Sequence, residues 1–440
     1  MKALISDGPL AVALHGQRDR LLPCVHCGFC LPACPTYNRL GNEADSPRGR
    51  LHLMQAVVDG RIDAGSDAFQ THIDRCLGCR ACEPVCPSGV EYGALLELAR
   101  EAATAARPAT LLSRALLKVM ASSVLRLPFF LSGRVLRGTG LASGGARLLP
   151  DWGRLRSARL ALSMLAATRR WRPLEGGPKP GRSSDDGPTA PEGRGRVGLL
   201  SGCVQEGLYA RINRATERTL RANGYEVVVV DGQDCCGALH AHGGELDRAR
   251  ALALRNVKAF EAVDVDYVAV NAAGCGAAMK DYGTLFELDQ ANRERVSELA
   301  GRVRDVTELL AQAGPRRGAA VPCTLAYDHP CHLLHGQGVE RAPLDVLSAI
   351  PGVEVRVVED ASECCGGAGI YGMTHPDLGG EIGRDKVRSV RAEQSEAVCT
   401  PNAGCMMQIG AGLRLEGASE GVIHPVELLD ESYERAGYYE

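Results

Sequence analysis

The sequence predicts a multidomain chain of mixed α+β and α/β class: a small, helical, cysteine-built module followed by two copies of an α/β unit. Three observations predict this. Eight cysteines fall in two runs of the same form, C-x2-C-x2-C-x3-C-P, from Cys24 to Pro35 and from Cys76 to Pro87, and each cysteine recurs 52 positions later. In the second half a further set of cysteines recurs at intervals of 128 to 130 residues. In that same half, short apolar runs alternate with helical patterns, the signature of parallel α/β sheets.

The whole chain sets the bounds. Its 440 residues allow two to four domains. With 50 basic against 53 acidic residues it carries no nucleic-acid footprint. The 18 cysteines do not fit a secreted disulfide scaffold, which is usually small. The opening Met1-Lys-Ala-Leu-Ile-Ser-Asp-Gly-Pro breaks before a signal-peptide core can build. A cytoplasmic, reducing compartment with metal-bound thiolates is the expectation. No run of about twenty uninterrupted apolar residues exists. The nearest candidate, Pro108 to Ser132, is interrupted by Arg114, Lys118 and Arg126, and Pro128 is expected to cut it.

Taken in order, residues 1–100 form the first module. The doubled run is the thiolate spacing of a two-cluster ferredoxin, in which the fourth cysteine of each run serves the other cluster. Cys24, Cys27, Cys30 and Cys86 are therefore assigned to one [4Fe–4S] cluster, and Cys34, Cys76, Cys79 and Cys82 to the other. Short C-x2-C steps should bring backbone amides close to the sulfurs and so tune the potentials. Two structural zinc sites are the alternative, but zinc requires neither the third cysteine nor the trailing Cys-Pro. Between the runs, Ser46-Pro47-Arg48-Gly49-Arg50 reads as a helix start, and the inserted piece as a structural spacer.

Residues 101–195 are a connector and linker. From Glu101 to Arg172 there are thirteen Lys or Arg against two acids. Stretches such as Leu111 to Met120 and Leu155 to Leu165 predict amphipathic helices. A basic amphipathic segment suits an anionic membrane surface or a partner, and equally an ordinary solvated face packed on its own protein. Pro173 to Arg194 reads as a flexible linker.

Residues 196–317 and 318–440 are the repeated units. Strands are expected at Val197–Leu200, Glu226–Asp231 and Tyr267–Asn271, and again at Leu325–Asp328, Val353–Val358 and Ala397–Thr400. Helices are expected over Asn213–Ala222 and Leu246–Phe260. Cys203, Cys235, Cys236 and Cys275 then gather at the carboxyl edge of the first sheet, and Cys331, Cys364, Cys365 and Cys405 at that of the second. Adjacent cysteines make poor structural bridges. A further iron–sulfur cluster or a thiol–disulfide site fits better. Cys323 and Cys399 fall outside the repeat and read as core. His240 and His332, with His242, His329 and His335, are expected to hydrogen-bond the ligands or to relay protons to a quinone or substrate.

In this order of parts the chain resembles the glycolate oxidase iron–sulfur subunit family, whose hallmarks include a two-cluster ferredoxin module and two cysteine-rich CCG domains. The matching motifs are Cys24-Val-His-Cys27-Gly-Phe-Cys30, Asp45-Ser-Pro-Arg-Gly-Arg-Leu, Asp74-Arg-Cys76-Leu-Gly-Cys79, Cys235-Cys236-Gly-Ala-Leu-His and Gly274-Cys275-Gly. The resemblance implies an electron-transfer subunit of a membrane-associated complex that oxidises glycolate and D-lactate. An FAD-containing dehydrogenase subunit would be the partner, with a quinone or the respiratory chain as acceptor. No catalytic residue is expected on this chain. The two G-x-G-x-x-G matches, at Gly193 and Gly367, lie in the wrong context for a dinucleotide site. The implied location is the cytoplasmic face of the cell membrane, in peripheral contact. One motif departs from this pattern: His329-Pro-Cys331-His332-Leu is similar to heterodisulfide reductases. That keeps thiol chemistry, or a glycerol-3-phosphate dehydrogenase type of subunit, as the alternative.

Overall fold

The computed structural model describes residues 14, 16–173, 193–287 and 289–439. In the first module, helices Pro35–Leu40, Pro47–Val58, Asp67–Asp74 and Tyr92–Ala106 enclose a core of Leu51, Met54, Phe69, Ile73, Leu95 and Leu96, into which Cys76 and Cys82 also pack. Ser46 caps the second of these helices, accepting from the Gly49 amide, with Pro47 at its first position. Gly49 is obligatory there: a Cβ would lie 1.9 Å from the Glu43 carbonyl oxygen.

The second half holds two sheets of the same topology. Strands β1 (Arg196–Leu199), β2 (Glu226–Val228), β3 (Tyr267–Val270) and β4 (Val303–Asp305) run parallel in the order β2-β1-β3-β4. Strands β5 (Cys323–Tyr327), β6 (Val353–Val357), β7 (Ala397–Cys399) and β8 (Gly421–Ile423) repeat it as β6-β5-β7-β8. The duplication read from the cysteines is therefore a duplication of fold. β4 and β8 were not anticipated; each is three residues long and runs straight into a capped helix. The expected helices are present as Cys203–Ala222 and Leu246–Glu261, the first beginning at its cysteine. The two sheets share one core, and Arg211 bonds Glu427 at 2.6 Å across them.

The connector differs from expectation in one way. Helix Ser123–Gly138 runs through Pro128, and the break falls at Ser122, whose hydroxyl caps the next turn. Proline frees the carbonyl four residues back; that residue, Val124, is exposed, so water can take its place. Of the connector's basic residues, Arg126, Arg137, Arg156 and Arg159 are half-buried, while Arg107, Arg114, Lys118, Arg147 and Arg172 face solvent. Arg126 pairs with Asp234, Arg134 donates to the Glu206 and Gly207 carbonyls, Arg137 to Thr168 and Leu208, and Arg170 to Glu431. Apolar residues also face solvent: Leu111, Val124, Leu127, Leu148 and Trp152 are each at least 70% exposed. Among the described residues no single helix is long and apolar enough to cross a membrane; Leu111–Ala121 and Ser123–Gly138 together reach that composition but are bent by 106°. The expected linker lies almost wholly in 174–192, outside the described residues.

Candidate iron–sulfur centres

Both cysteine runs of the first module wrap in the same way. His26 and Gly28 in one run, Gly78 and Arg80 in the other, occupy the left-handed region at positions 52 apart. These turns point amides at sulfur: Gly78 N–H donates to Cys76 Sγ at 3.4 Å. Cys24, Cys27, Cys30, Cys82 and Cys86 line one small pocket, with Arg48, Pro87 and Tyr92 beside them. Cys34 sits with Cys76, Cys79 and Cys82. Burial pushes the Cys79 and Cys82 thiols well up, and repulsion from the other thiolates of the group, Cys34 included, pushes them further. Cys82 lies between the two groups, lining the first pocket while its thiol feels the charges of Cys79, Cys76 and Cys34.

The inserted piece does more than space the runs. Arg50 is 1% exposed and reaches the second quartet: its Nη1 lies 3.9 Å from Cys34 Sγ, while Nε donates to the His72 carbonyl and Nη2 to Thr36. Burial opposes a Cys76 thiolate, but Arg50 and Arg100 outweigh it and hold that thiol below its ordinary range. The buried carboxylate of Asp45 in turn holds His72 at 2.9 Å, Arg75 at 3.1 Å and Arg50 at 3.6 Å. Sequence reading took this motif as a helix start; its buried cation was the missed signal.

In the first α/β unit Cys203 Sγ lies 3.4 Å from Cys235 Sγ, and Cys236 bonds both Cys235 and Cys275. In the second, Cys331 bonds Cys364, and Cys365 bonds Cys364 and Cys405. Each unit thus brings its four thiols together. Cys323 and Cys399 are buried strand residues.

The surroundings of the two quartets differ. Hydrogen bonding from Cys235 and burial raise the Cys203 thiol well above its ordinary value. In the second unit the Cys364 hydrogen bond, and then His332 with Nδ1 at 3.5 Å, hold Cys331 well below it. Lys386 adds its pull on Cys365. Lys386 and Asp328 are each 1% exposed and 2.9 Å apart; burial drives the Asp328 carboxyl up to about 8 against the attraction of Lys386. The repeat is tightly registered, because Asp264 and Gln394, both left-handed, are 130 residues apart. It sets Leu200, Val204 and Asn256 where the second unit has Asp328, His332 and Lys386.

His332 is therefore beside a cysteine as expected, but His240 is not. Its Nε2 lies 3.1 Å from the Leu117 carbonyl, fixing the connector helix rather than a thiolate, because the short helix Ala238–His242 turns it away from Cys235 and Cys236. His242 instead faces Glu97 of the first module, Nδ1 to Oε1 at 3.4 Å.

The first module docks on both units. Arg39 bonds Asp385 at 2.6 Å, His375 bonds Asp74 at 3.0 Å, and Tyr371 donates to the Arg75 carbonyl at 2.8 Å. Arg80 pairs with Asp281, and Arg20 bonds Glu287 at 2.9 Å. This seats Cys79 close enough to Cys331 for their charges to interact, and Leu77 packs with Cys331, Cys364 and Tyr371. Among the described residues no three His, Cys, Asp or Glu side chains converge as a single metal ion requires. All-thiolate quartets of this kind suit soft, polynuclear iron–sulfur centres better.

Comparison with known proteins agrees. Residues 20–90 match the 4Fe-4S dicluster domain, and residues 197–280 and 325–410 each match the cysteine-rich domain named for its CCG signature. A probable glycolate oxidase iron-sulfur subunit of Bacillus subtilis is 36% identical over 96% of this chain and 95% of its own length. A glycolate oxidase iron-sulfur subunit of Escherichia coli is 32% identical over 95% and 96%. Lactate utilization protein A of an Exiguobacterium species is 27% identical over 54% of this chain and 99% of its own length.

Proposed function

The chain belongs to the glycolate oxidase iron–sulfur subunit family, and from that premise we propose that it carries electrons from an FAD-containing, glycolate-oxidising partner toward a membrane quinone. The observation that carries this reading is the gradient of exposure across the first module. Cys27 is exposed, with Val25 and Phe29 standing out beside it, whereas Cys34 and Cys76 are buried inside the module. An exposed centre suits entry from a partner, and a buried one suits delivery inward.

Cys24, Cys27, Cys30 and Cys86 would hold the entry cluster, and Cys34, Cys76, Cys79 and Cys82 the inner one. Each such cluster supplies a one-electron couple whose potential follows charge, burial and hydrogen bonds to sulfur. The backbone amides wrapped on the sulfurs and the buried Arg50 guanidinium stabilise the added negative charge of the reduced state. The chain itself offers no hydride acceptor, so substrate oxidation belongs to the partner, with D-lactate as a second substrate. The second α/β quartet, with His332 and Lys386, is the better cradle for a further anionic cluster.

The exposed leucines of the connector support peripheral attachment at the cytoplasmic face of a membrane. With Arg114 and Lys118 also exposed between them, they match an interfacial helix that pairs apolar insertion with attraction to anionic lipid. A second reading, disulfide reduction at the Cys331–His332 pair, is favoured by their 3.5 Å contact. Turnover of a disulfide by the reduced, purified chain tests it.

Cys27→Ala or Cys79→Ala in the assembled complex should abolish glycolate-driven reduction of a quinone analogue while glycolate still bleaches the flavin. Unchanged quinone reduction in either variant overturns the electron-transfer reading.

A further inference from the structure

A cavity of about 460 Å³ lies where the first module, the connector and both cysteine loops meet. Its walls come from helices Asp67–Asp74 and Tyr92–Ala106, from the connector at Pro108 to Leu117, and from the segments that follow the two Cys-Cys-Gly turns, 239–243 and 368–375. That volume falls in the range of small-molecule sites. Ile73, Leu77, Leu117, Leu239 and Ile370 make it apolar. Its polar groups are few and convergent. His375 and Asp74 are bonded at 3.0 Å, His242 is backed by Glu97, and Arg100 and Arg107 lie at the rim. His375 also stacks on Tyr371, ring centroids 4.3 Å apart and 13° from parallel, which gives the cavity a flat aromatic wall.

We propose that this cavity is the site where a quinone head group binds and is reduced. The inference rests on the electron-transfer reading above and adds to it the place and the residues. Three features select the ligand. Among the described residues no cysteine lines the cavity, so a disulfide bound there could not meet a thiol, whereas an electron acceptor needs only proximity. Leu77, next in sequence to Cys76, forms part of the wall, so the buried quartet is one residue away. The connector helix that closes one side begins with Leu111, 82% exposed, and Leu112, 51% exposed. A lipid-soluble ligand can reach the cavity along that apolar face.

Each turnover reduces one quinone to its quinol with two electrons and two protons. The electrons are those that the flavoprotein withdraws as the hydroxy acid becomes the keto acid. The protons come from solvent, through the imidazole of His242, whose Nδ1 is held by Glu97. His242 hydrogen-bonds a ring oxygen, while His375, its two nitrogens held by Thr374 and Asp74, contributes its face, and the tyrosine–histidine stack holds the quinone ring flat.

The test is calorimetric titration of the cluster-loaded chain with menadione, a quinone without a tail. The wild-type chain should bind it at one site. Ile370→Trp puts an indole into the cavity and should weaken binding by at least about tenfold, while Ile370→Val retains it. The ultraviolet–visible and paramagnetic spectra of the clusters report that the variant is intact. If Ile370→Trp fails to accumulate, His375→Gln should still weaken binding severalfold. In addition, an azido-quinone should label peptides 99–117, 239–243 or 368–375, and excess menadione should protect them. No menadione binding to the wild type, equal affinity in Ile370→Trp, or labelling confined to other peptides overturns the proposal. Bleaching of the wild-type clusters by glycolate in the complex is measured separately. If they bleach while menadione does not bind, the cavity assignment alone falls.

Discussion

The two α/β units share one backbone and differ in what they bury beneath it. Under its cysteines the second unit holds a lysine–aspartate pair and sets a histidine against Cys331; the first has Leu200, Asn256 and Val204 in those places. In the first unit Asn256 does the corresponding work as a neutral group, donating to the Cys235 carbonyl at 3.0 Å and accepting from the Asp234 amide at 2.8 Å. The neighbours differ as well. The second unit faces the buried quartet of the ferredoxin module through Cys79 and Leu77, while connector residue Arg126 reaches the first unit at Asp234, just before Cys235. The duplication thus supplied two thiol quartets, and later divergence placed a buried lysine beneath one of them, while the first unit has Arg126 near Cys203. If that buried charge stabilises an anionic cluster, the second unit is the redox-competent copy and the first is a scaffold that anchors the connector.

The sharpest way to break this contrast is to remove one cysteine from each copy. Cys365→Ala should lower glycolate-driven quinone reduction by roughly 100-fold or more, and it should remove iron beyond that held by the first module. Cys236→Ala should cost less than about tenfold with no change in iron content. Equal losses from the two variants, read by iron analysis and steady-state rates, would erase the distinction.

A weaker intervention separates charge from packing. Lys386→Met removes the cation beside the buried Asp328 carboxyl, which stays protonated, so the variant should lose about 1–3 kcal/mol in chemical denaturation, the cost of a buried polar group left without its partner. The double change Asp328→Leu with Lys386→Asn imports the pair found in the first unit, and replacing a buried ion pair in this way is often neutral to stability. That double variant should therefore fold as well as the wild type and yet bind less iron. Full iron content would show that the charge is not what holds the cluster.

How much of this was legible in the sequence depends on the range of the interaction. The ferredoxin module and the repeat were legible because spacing alone encodes them: each cysteine is tied to a turn, and the turns recur. Six of the eight strands were legible for the same reason. β4 and β8 were not, since three residues cannot show an alternation, although the capping pairs Asp305/Glu308 and His424/Glu427 marked the helices that follow. The buried charges were illegible because their partners are distant in sequence. Lys386 sits on a helix that reads as amphipathic, and nothing in Asp328 announces that it points at that helix. The connector left two readings open, a membrane or partner surface and a face packed on its own protein; carbonyls at the ends of other elements hold Arg134 and Arg137, while leucines and several other basic residues stand exposed. His375 and His242 acquire a shared cavity only through the docking of three separate segments.

A further expected effect concerns the caps of those two late helices, where the units again differ. Asp305 and His424 occupy equivalent N-cap positions, and both are buried. Burial pushes the Asp305 carboxyl up to about 6, and it pushes the His424 imidazole down to about 3. The signs follow from linkage. With its folded value raised, Asp305 contributes fully below its ordinary value near 4, and that contribution is lost as pH rises through 6. With its folded value depressed, His424 contributes fully above about 6.5, and that contribution is lost as pH falls toward 3. At roughly 1.4 kcal/mol per pH unit, Asp305 amounts to on the order of 3 kcal/mol and His424 to on the order of 5 kcal/mol across its window. Asp305→Asn keeps an oxygen to accept from the Thr307 amide, a bond of 2.9 Å in the wild type. It should stabilise the protein near pH 7.5 and leave it unchanged near pH 4. His424→Gln retains a donor for the Asn271 carbonyl, 3.1 Å away in the first unit, and should flatten the acid limb of stability between pH 6.5 and 5. Denaturation midpoints measured across pH 4 to 8 check both. If Asp305→Asn has the same effect at both ends of that range, the cap is not what titrates, and the two units do not differ there.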